Sequence, residues 1–242
     1  MTLALLVPPR RRGREHLDDP ATPEDVRRRS VGEIARSNLL FGGTRAALLA
    51  IDALLRRARG GRADGPTLSL LDVGTGAGDI PAAARALARR RGVELVTIGL
   101  DGSAPLAAAS RARTAHTVCG DALALPLPAR SVDIVLASQL LHHFEGPDAA
   151  RVLAELHRVA RLGVVVADLR RSRVAAALFW LVSFPLGYHP ITRHDGVTSI
   201  FRGFTDRELR ETIRAAVGAR ADVRRRLGWR LVASWTPSPP TP

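Results

Sequence analysis

Three observations in this 242-residue chain predict an α/β fold. The expected architecture is a doubly wound, mostly parallel sheet of seven strands, with an N-terminal helical cap and a helical insertion after strand 5. The first observation is a strand, a glycine turn and a helix in succession: an apolar run at 68–73, glycines at 74, 76 and 78, and an Ala/Arg-rich stretch from Pro81 to about residue 91. The second is a series of short apolar runs ending on polar residues. Residues 94–100 precede Asp101, 116–122 end in Gly120-Asp121-Ala122, 132–137 precede Ser138, and 164–167 precede Asp168. The third is a pair of strand-like segments, 221–227 and 229–235, around Gly228, which predict a closing hairpin.

The elements follow in order. Residues 1–20 mix Pro, Arg and acids without a period and read as a loose arm. Thr22-Pro23-Glu24 opens a helix to about residue 37, and residues 38–43 break it. The next helix, about 44–59, carries apolar residues at 47, 48, 51, 54 and 55 on one face. Residues 60–66 form a linker, so 1–66 is an arm and helical cap and 67–235 the main domain. Asp79 is placed to cap the helix that follows the glycine turn, with Pro81 in its first turn. A helix spans about 147–160, and Arg161-Leu162-Gly163 is expected to end it. Residues 169–204 form the insertion, in which the apolar run 174–184 is a helix and Tyr188-His189-Pro190 and Arg193-His194-Asp195-Gly196 belong to a connecting segment. A core helix, a lid whose aromatics line a pocket, and a dimer or lipid contact all remain open for it. Thr205-Asp206-Arg207-Glu208 has the spacing of a capping box and opens a helix to about residue 217. The proline-rich end, 236–242, is expected to be disordered.

Composition limits the function. Net charge is +13, which taken alone suggests nucleic acid or an anionic surface. Every basic residue is Arg, however, and the arginines are dispersed, so they read as solvated faces and nucleic acid is not the expected partner. The single cysteine, Cys119, cannot close an intramolecular disulfide and is expected to be inert packing. The N-terminal apolar stretch has its positive charges after it, the reverse of a signal peptide, and no apolar run reaches the ~20 residues that span a bilayer. A soluble cytoplasmic protein is expected. No metal-ligand spacing is evident, so metal-independent chemistry is expected.

Asp72-Val73-Gly74-Thr75-Gly76-Ala77-Gly78 has an acid two residues before the first of three alternating glycines, unlike the G-x-G-x-x-G of dinucleotide sites. It resembles motif I of class I S-adenosylmethionine (SAM) methyltransferases, and the expected fold is then their Rossmann-like one. The resemblance implies that Asp72, Gly74, Thr75, Gly76 and Gly78 hold the methionine part of SAM. It implies that Asp101, with Gly102 and Ser103, meets the ribose, that Asp121 and Ala122 meet the adenine, and that Ser138 lies near the sulfonium. Apart from the resemblance, Asp101 or Ser103 could simply cap the next helix.

Residues 133–144 match the segment D-x-V-x-x-x-x-x-L-H-H-F of such enzymes, and Ser138-Gln139-Leu140-Leu141 is unlike the tetrapeptide of enzymes that methylate base amines. Within the class the chain resembles bacterial small-molecule methyltransferases of ubiquinone and menaquinone biosynthesis and their natural-product relatives. That subgroup resemblance rests on residues 15–20, 38–43 and 193–196. It implies methyl transfer from SAM, leaving S-adenosylhomocysteine, to a phenolic or enolic oxygen of a small aromatic, polyketide- or quinone-like acceptor. A carbon acceptor or, less in keeping with the apolar insertion, RNA or protein are the alternatives. His142 is the expected base, with Asp168 orienting it or binding the acceptor hydroxyl and His143 its competitor, the alternative being that the two histidines only cap the strand-to-helix turn. Phe41, Phe179, Tyr188, His189, Arg193 and His194 are the expected acceptor-binding residues. A homodimer is compatible with all of this.

Overall fold

The computed structural model describes residues 7–11, 13–19, 21–60 and 67–237. Most of the linker, the extreme N-terminus and residues 238–242 of the tail lie outside the described residues. Helix α1 (Glu24–Leu40) runs three residues further than expected, because the Phe41 N–H still bonds to the Ser37 carbonyl at 2.8 Å. The break is therefore only Phe41 and Gly42, and α2 (Gly43–Arg59) turns back onto the sheet. Ala47, Ile51, Leu54 and Leu55 are buried along its inner face.

Strand β1 (Thr67–Val73) leads through the glycine turn into α3 (Asp79–Arg90). The helix cap is Gly78, at φ +74°, and not Asp79, which is already the first helical residue. A left-handed glycine starts the helix one residue earlier than a side-chain cap would. Strand β2 (Glu94–Asp101), α4 (Ala104–Ser110), β3 (His116–Cys119), β4 (Val132–Ser138), α5 (Gly146–Val159) and β5 (Ala160–Leu169) complete the parallel part. Residues 161–163 belong to β5 rather than to a turn. Ala160 already pairs with Val132 and Gly163 with Ile134, so the ladder begins where the helix stops. Gly163 also lets α2 approach, since a Cβ there would lie 2.7 Å from Leu54.

Then come α6 (Arg173–Ser183), α7 (Pro190–Arg202), α8 (Asp206–Val217) and the hairpin β6 (Asp222–Arg226) and β7 (Arg230–Trp235). Residues 190–202, expected as a connecting segment, are helical. The polar run 193–196 hid this helix, whose buried side is itself largely polar: Thr192, Asp195 and Arg202 beside Ile200. Pro190 sits in its first turn, where no N–H is needed. The capping box of α8 is present, with Thr205 and Glu208 each bonded to the other's backbone N–H.

The seven strands lie in the order β3-β2-β1-β4-β5-β7-β6, parallel except for β7 against β5 and β6. Helices α5 and α8 bury Val152, Leu153, Leu156, Leu209 and Ile213 on one face, while α2 and α3 cover the other. Each buried Leu or Ile contributes about 1.5–3 kcal/mol. Strand order reverses between β1 and β4, which opens a crevice at their carboxyl ends.

The described part of the N-terminal arm is not loose. Arg171 donates to the Pro8 carbonyl at 2.7 Å, and Arg10 to the Arg202 carbonyl at 2.7 Å. The N–H groups of His16 and Leu17 both bond to the buried Asp195 carboxylate at 2.9 Å. Arginines and one acid fasten the arm, so it carries no hydrophobic period. Gly228, at the hairpin tip, sits against the Phe41 carbonyl so closely that a Cβ would collide with it.

Candidate active site

Two cavities meet above the carboxyl ends of the strands. The larger, about 790 Å³, lies over the glycine turn and is walled by Gly74, Gly76, Asp101, Gly102, Asp121 and Ala122. The sheet register explains their meeting. Each ends or follows a neighbouring parallel strand, so all emerge at one edge. Gly74 and Thr75 donate their N–H groups to the Leu100 carbonyl, which folds the turn back over β2. At Gly74 φ is +75° and a Cβ would fall 2.9 Å from Leu140. At Gly76 a Cβ would meet nothing within 4 Å, so the backbone there faces open space.

The acids are arranged for polar ligands. Asp101 accepts from Gly76 N–H at 3.0 Å and Ser103 N–H at 2.9 Å, and Asp121 from Leu123 N–H at 2.9 Å. Asp72 is almost fully buried and accepts the Thr75 hydroxyl at 3.0 Å through one oxygen. Its Oδ1 has no hydrogen-bond partner among the described residues. Burial, with smaller contributions from Asp79 and Asp101, pushes its pKa up to about 8. An orphaned carboxylate oxygen of this kind fits an incoming ammonium group. Thr75 is buried beneath the turn and Gly78 caps α3, while Ser103 and Ser138 line neither cavity. Cys119 is not inert packing. It ends β3 on the outward side, is exposed, and lines the cleft with its thiol 3.8 Å from the Gly102 carbonyl.

The second cavity, about 290 Å³, is mainly apolar, with Phe41, Leu169, Leu178, Phe179, Ile200 and Trp229 in its walls. Glu15, Ile34, Gln139 and His143 border both cavities and so form the partition between them. His142 closes the base of the second one, where its Nδ1 lies 2.7 Å from Asp168 Oδ1. Asp168 Oδ2 also accepts the His142 N–H at 3.1 Å, which fixes the ring's place at the tip of β5. Nε2 of His142 has no hydrogen-bond partner among the described residues. It faces Glu15 Oε1 at 3.6 Å, too far for a hydrogen bond. Glu15 is itself held by the Ser199 hydroxyl at 2.7 Å and by Arg202 at 3.4 Å.

Burial would lower the His142 pKa, but Asp168, and then Glu15, outweigh it and raise it to about 9. Burial would raise the Asp168 and Glu15 carboxyls, but His142, with His143, holds both below their ordinary range. The resting cluster is thus an imidazolium between two carboxylates. Glu15, His142 and His143 have ligand atoms within 4.8 Å of one another, as do His16, His194 and Asp195, so either group could hold a metal ion. In the first, Arg202 already balances the Glu15 charge.

Of the expected acceptor-binding residues, the structure brings Phe41 and Phe179 to the second cavity, with His142 and His143. It does not bring the other four there. Tyr188 is buried with its hydroxyl on Ser37 at 2.9 Å, and His189 caps α7. Arg193 stacks 3.6 Å over Phe184, and His194 tilts against His16 on the outside. Sequence reasoning missed Glu15, Gln139 and Arg230 as site residues. Arg230 is buried in the cavity wall and donates to Gln139 at 2.8 Å, and its Nε has no hydrogen-bond partner among the described residues. Desolvation lowers its pKa to about 10. An arginine opening the otherwise apolar strand 230–235 was the available signal. Gln139, at φ +50°, gave none.

Residues 71–167 match the family described as a methyltransferase domain. No curated protein matches the chain. Several solved structures share its fold. A SAM-dependent methyltransferase from Aquifex aeolicus is 16% identical, over 86% of this chain and 96% of that one, with a TM-score of 0.56. The plantazolicin methyltransferase BamL, solved with a substrate analogue and S-adenosylhomocysteine, is 13% identical over 84% and 72%, at 0.56. The CurJ carbon methyltransferase is 12% identical over 84% and 58%, at 0.58. The matched segment spans the glycine turn, Asp101, Asp121 and the two histidines, within the seven-stranded sheet of the Rossmann-like methyltransferase fold. Residues 71–167 thus form a methyltransferase domain, set in a fold shared with solved SAM-dependent methyltransferases.

Proposed function

We propose that the enzyme methylates an oxygen, phenolic or enolic, of a small polyketide- or quinone-like molecule held in the apolar cavity. The observation that carries this reading is the unpartnered Nε2 of His142, buried where that cavity meets the cleft over the glycine turn. A hydroxyl seated beside this pair can bond to both Nε2 and Glu15.

SAM, when bound, supplies an activated methyl on a sulfonium. Gly74, Gly76 and Asp72 hold its methionine end, and Asp101 and Asp121 its ribose and adenine, with the Asp72 Oδ1 taking the ammonium. Within the chain the work is positioning and one proton transfer. Phe41, Phe179 and Trp229 exclude water and set the acceptor plane. In the fraction of the enzyme whose His142 is neutral, Asp168 keeps the remaining proton on Nδ1, so Nε2 would take the hydroxyl proton while the methyl passes from the sulfonium, left as a thioether, to the oxygen. The buried Arg230 meets a second oxygen of the acceptor, which suits a carbonyl beside an enol or phenol. Because His142 titrates at about 9, the base form grows with pH, and kcat/KM should climb tenfold per pH unit below that value. The fold's structural relatives include methyltransferases of natural-product assembly, which agrees with such an acceptor.

The test is a panel of phenols, quinols and enolised polyketides with labelled SAM, with products read by mass spectrometry and by the O–CH3 or C–CH3 signal in NMR. O-methyl product, and a loss of at least about 100-fold in His142→Ala with unchanged S-adenosylhomocysteine binding, are expected. A carbon-bound methyl, or near-native turnover in His142→Ala, refutes the assignment.

A further inference from the structure

The apolar cavity has an outer wall that solvent can reach. Six of the twelve large apolar side chains exposed among the described residues fall within 174–184: Val174, Leu178, Trp180, Leu181, Val182 and Phe184. Two more, Leu39 and Leu40, end α1 beside this helix, where Phe41 lies 6.1 Å from Phe179. Leu181 is 62% exposed and Leu39 72%, values that no packing inside this chain explains. Leu178 and Val182 belong to both surfaces, since they line the cavity and are also exposed outside it.

The rim of this patch is basic. Arg193 lies over the rings of Phe184 and Trp180, Arg29 reaches the Gly187 carbonyl, and Arg173 and Arg36 are exposed at the near ends of α6 and α1. Against these stands Glu33, already paired with Arg29 at 2.8 Å. An apolar helix with aromatic side chains and a cationic border has the form of an element that lies in a bilayer interface. A second copy of this chain would bring the same arginines against one another, and the chain as a whole carries +13. Helix α6 has 11 residues, too few to cross a bilayer, so contact at the surface is what its exposed face can make.

We propose that α6 and the end of α1 dock on an anionic lipid surface, and that a lipophilic acceptor passes from the lipid into the cavity between Leu178 and Val182. The docking stands on exposure and charge alone. The passage of the acceptor rests on the reading of the cavity as the acceptor site.

The full chain, free of tags, is mixed with vesicles of phosphatidylcholine alone or with phosphatidylglycerol, and partitioning is read by co-sedimentation. Trp180 emission reports insertion, with Trp180→Phe as the reference for the other two tryptophans. The expected result is binding to the anionic vesicles, weakened by salt, with a blue shift that Trp180→Phe abolishes. Leu181→Glu, a surface change outside the cavity, should weaken partitioning about tenfold or more. Three results overturn the proposal: no binding to either vesicle, binding that Leu181→Glu leaves unchanged, or a solution dimer that Leu181→Glu dissolves. S-adenosylhomocysteine binding, measured in parallel, reports the cofactor site separately. O-methylation of a water-soluble phenol with no vesicle binding would sink the docking and leave the acceptor reading intact.

Discussion

Replacing Asp168 by Asn should destabilise the protein in a pH-dependent way. Asp168 sits on the Nδ1 side of the imidazole and accepts the N–H groups of His142 and Leu169, the latter at 2.7 Å. An amide keeps one acceptor and turns the other into a donor facing a donor, which costs about 1–3 kcal/mol at any pH. A second loss adds to this. The His142 pKa stands at about 9 instead of 6.5, worth about 3 kcal/mol in favour of the imidazolium, of which Asp168 supplies the larger part against burial. That pKa is raised, so its stabilisation is complete below pH 6.5 and disappears as pH rises through about 9. Asp168→Asn should therefore cost about 4 kcal/mol at pH 6 and only the pH-independent part, about 1–3 kcal/mol, at pH 10. Urea unfolding of both proteins at a series of pH values measures the difference, and NMR of the His142 ring gives its pKa directly. An equal loss at pH 6 and pH 10, or a His142 that titrates near 6.5 in the native protein, would refute the charged cluster.

Three further expectations follow from the site. Asp72 is protonated at pH 7 in the ligand-free protein, so binding a cationic amino group there should release a proton between pH 4 and 8; calorimetry in buffers of different ionisation heat should show it, and identical heats in all buffers would count against it. Arg230→Met removes a buried, half-satisfied guanidinium, so thermal stability should hold or rise while the acceptor KM increases about tenfold or more; a drop in stability with unchanged KM would make Arg230 structural. Tyr188→Phe strips the Ser37 hydroxyl of its partner and should lower stability by about 1–2 kcal/mol with no change in kcat, whereas a kcat loss would return Tyr188 to the site.

The centre of the sheet was legible because β2, β4 and β5 are short apolar runs that reach a polar residue at Asp101, Ser138 and Asp168, a pattern set by burial on both faces. The cleft over the glycine turn was legible for the same reason, since Gly74, Asp101 and Asp121 sit at consecutive strand ends and parallel register brings them together. His142 lies in the turn after β4 and Asp168 at the tip of the neighbouring β5, and their meeting followed. The second cavity was harder. Its partition residue Glu15 is placed by Ser199, Arg202 and the hold of Asp195 on the arm, all contacts more than 170 positions apart in the chain. No local period records such contacts. The same holds for α7, whose inward side is polar because it grips that arm. His189, Arg193 and His194 were sought in the site because they bear chemistry, but helical rotation turns them to the cap and to the outside.

The two chambers draw on different stretches of the polypeptide. Apart from Gln139, His142 and His143, the acceptor cavity takes its lining from before residue 42 and after residue 168, whereas the glycine cleft draws mostly on 74–144. On the proposed reading, selection can therefore retune what is methylated by altering α1, α6, α7 and the hairpin while leaving the methyl donor's berth untouched. The exceptions lie in the shared partition, where Glu15, Ile34, Gln139 and His143 answer to both ligands at once. Those four positions are where a change of acceptor would be felt by the donor, and where the two halves of the enzyme must evolve in step.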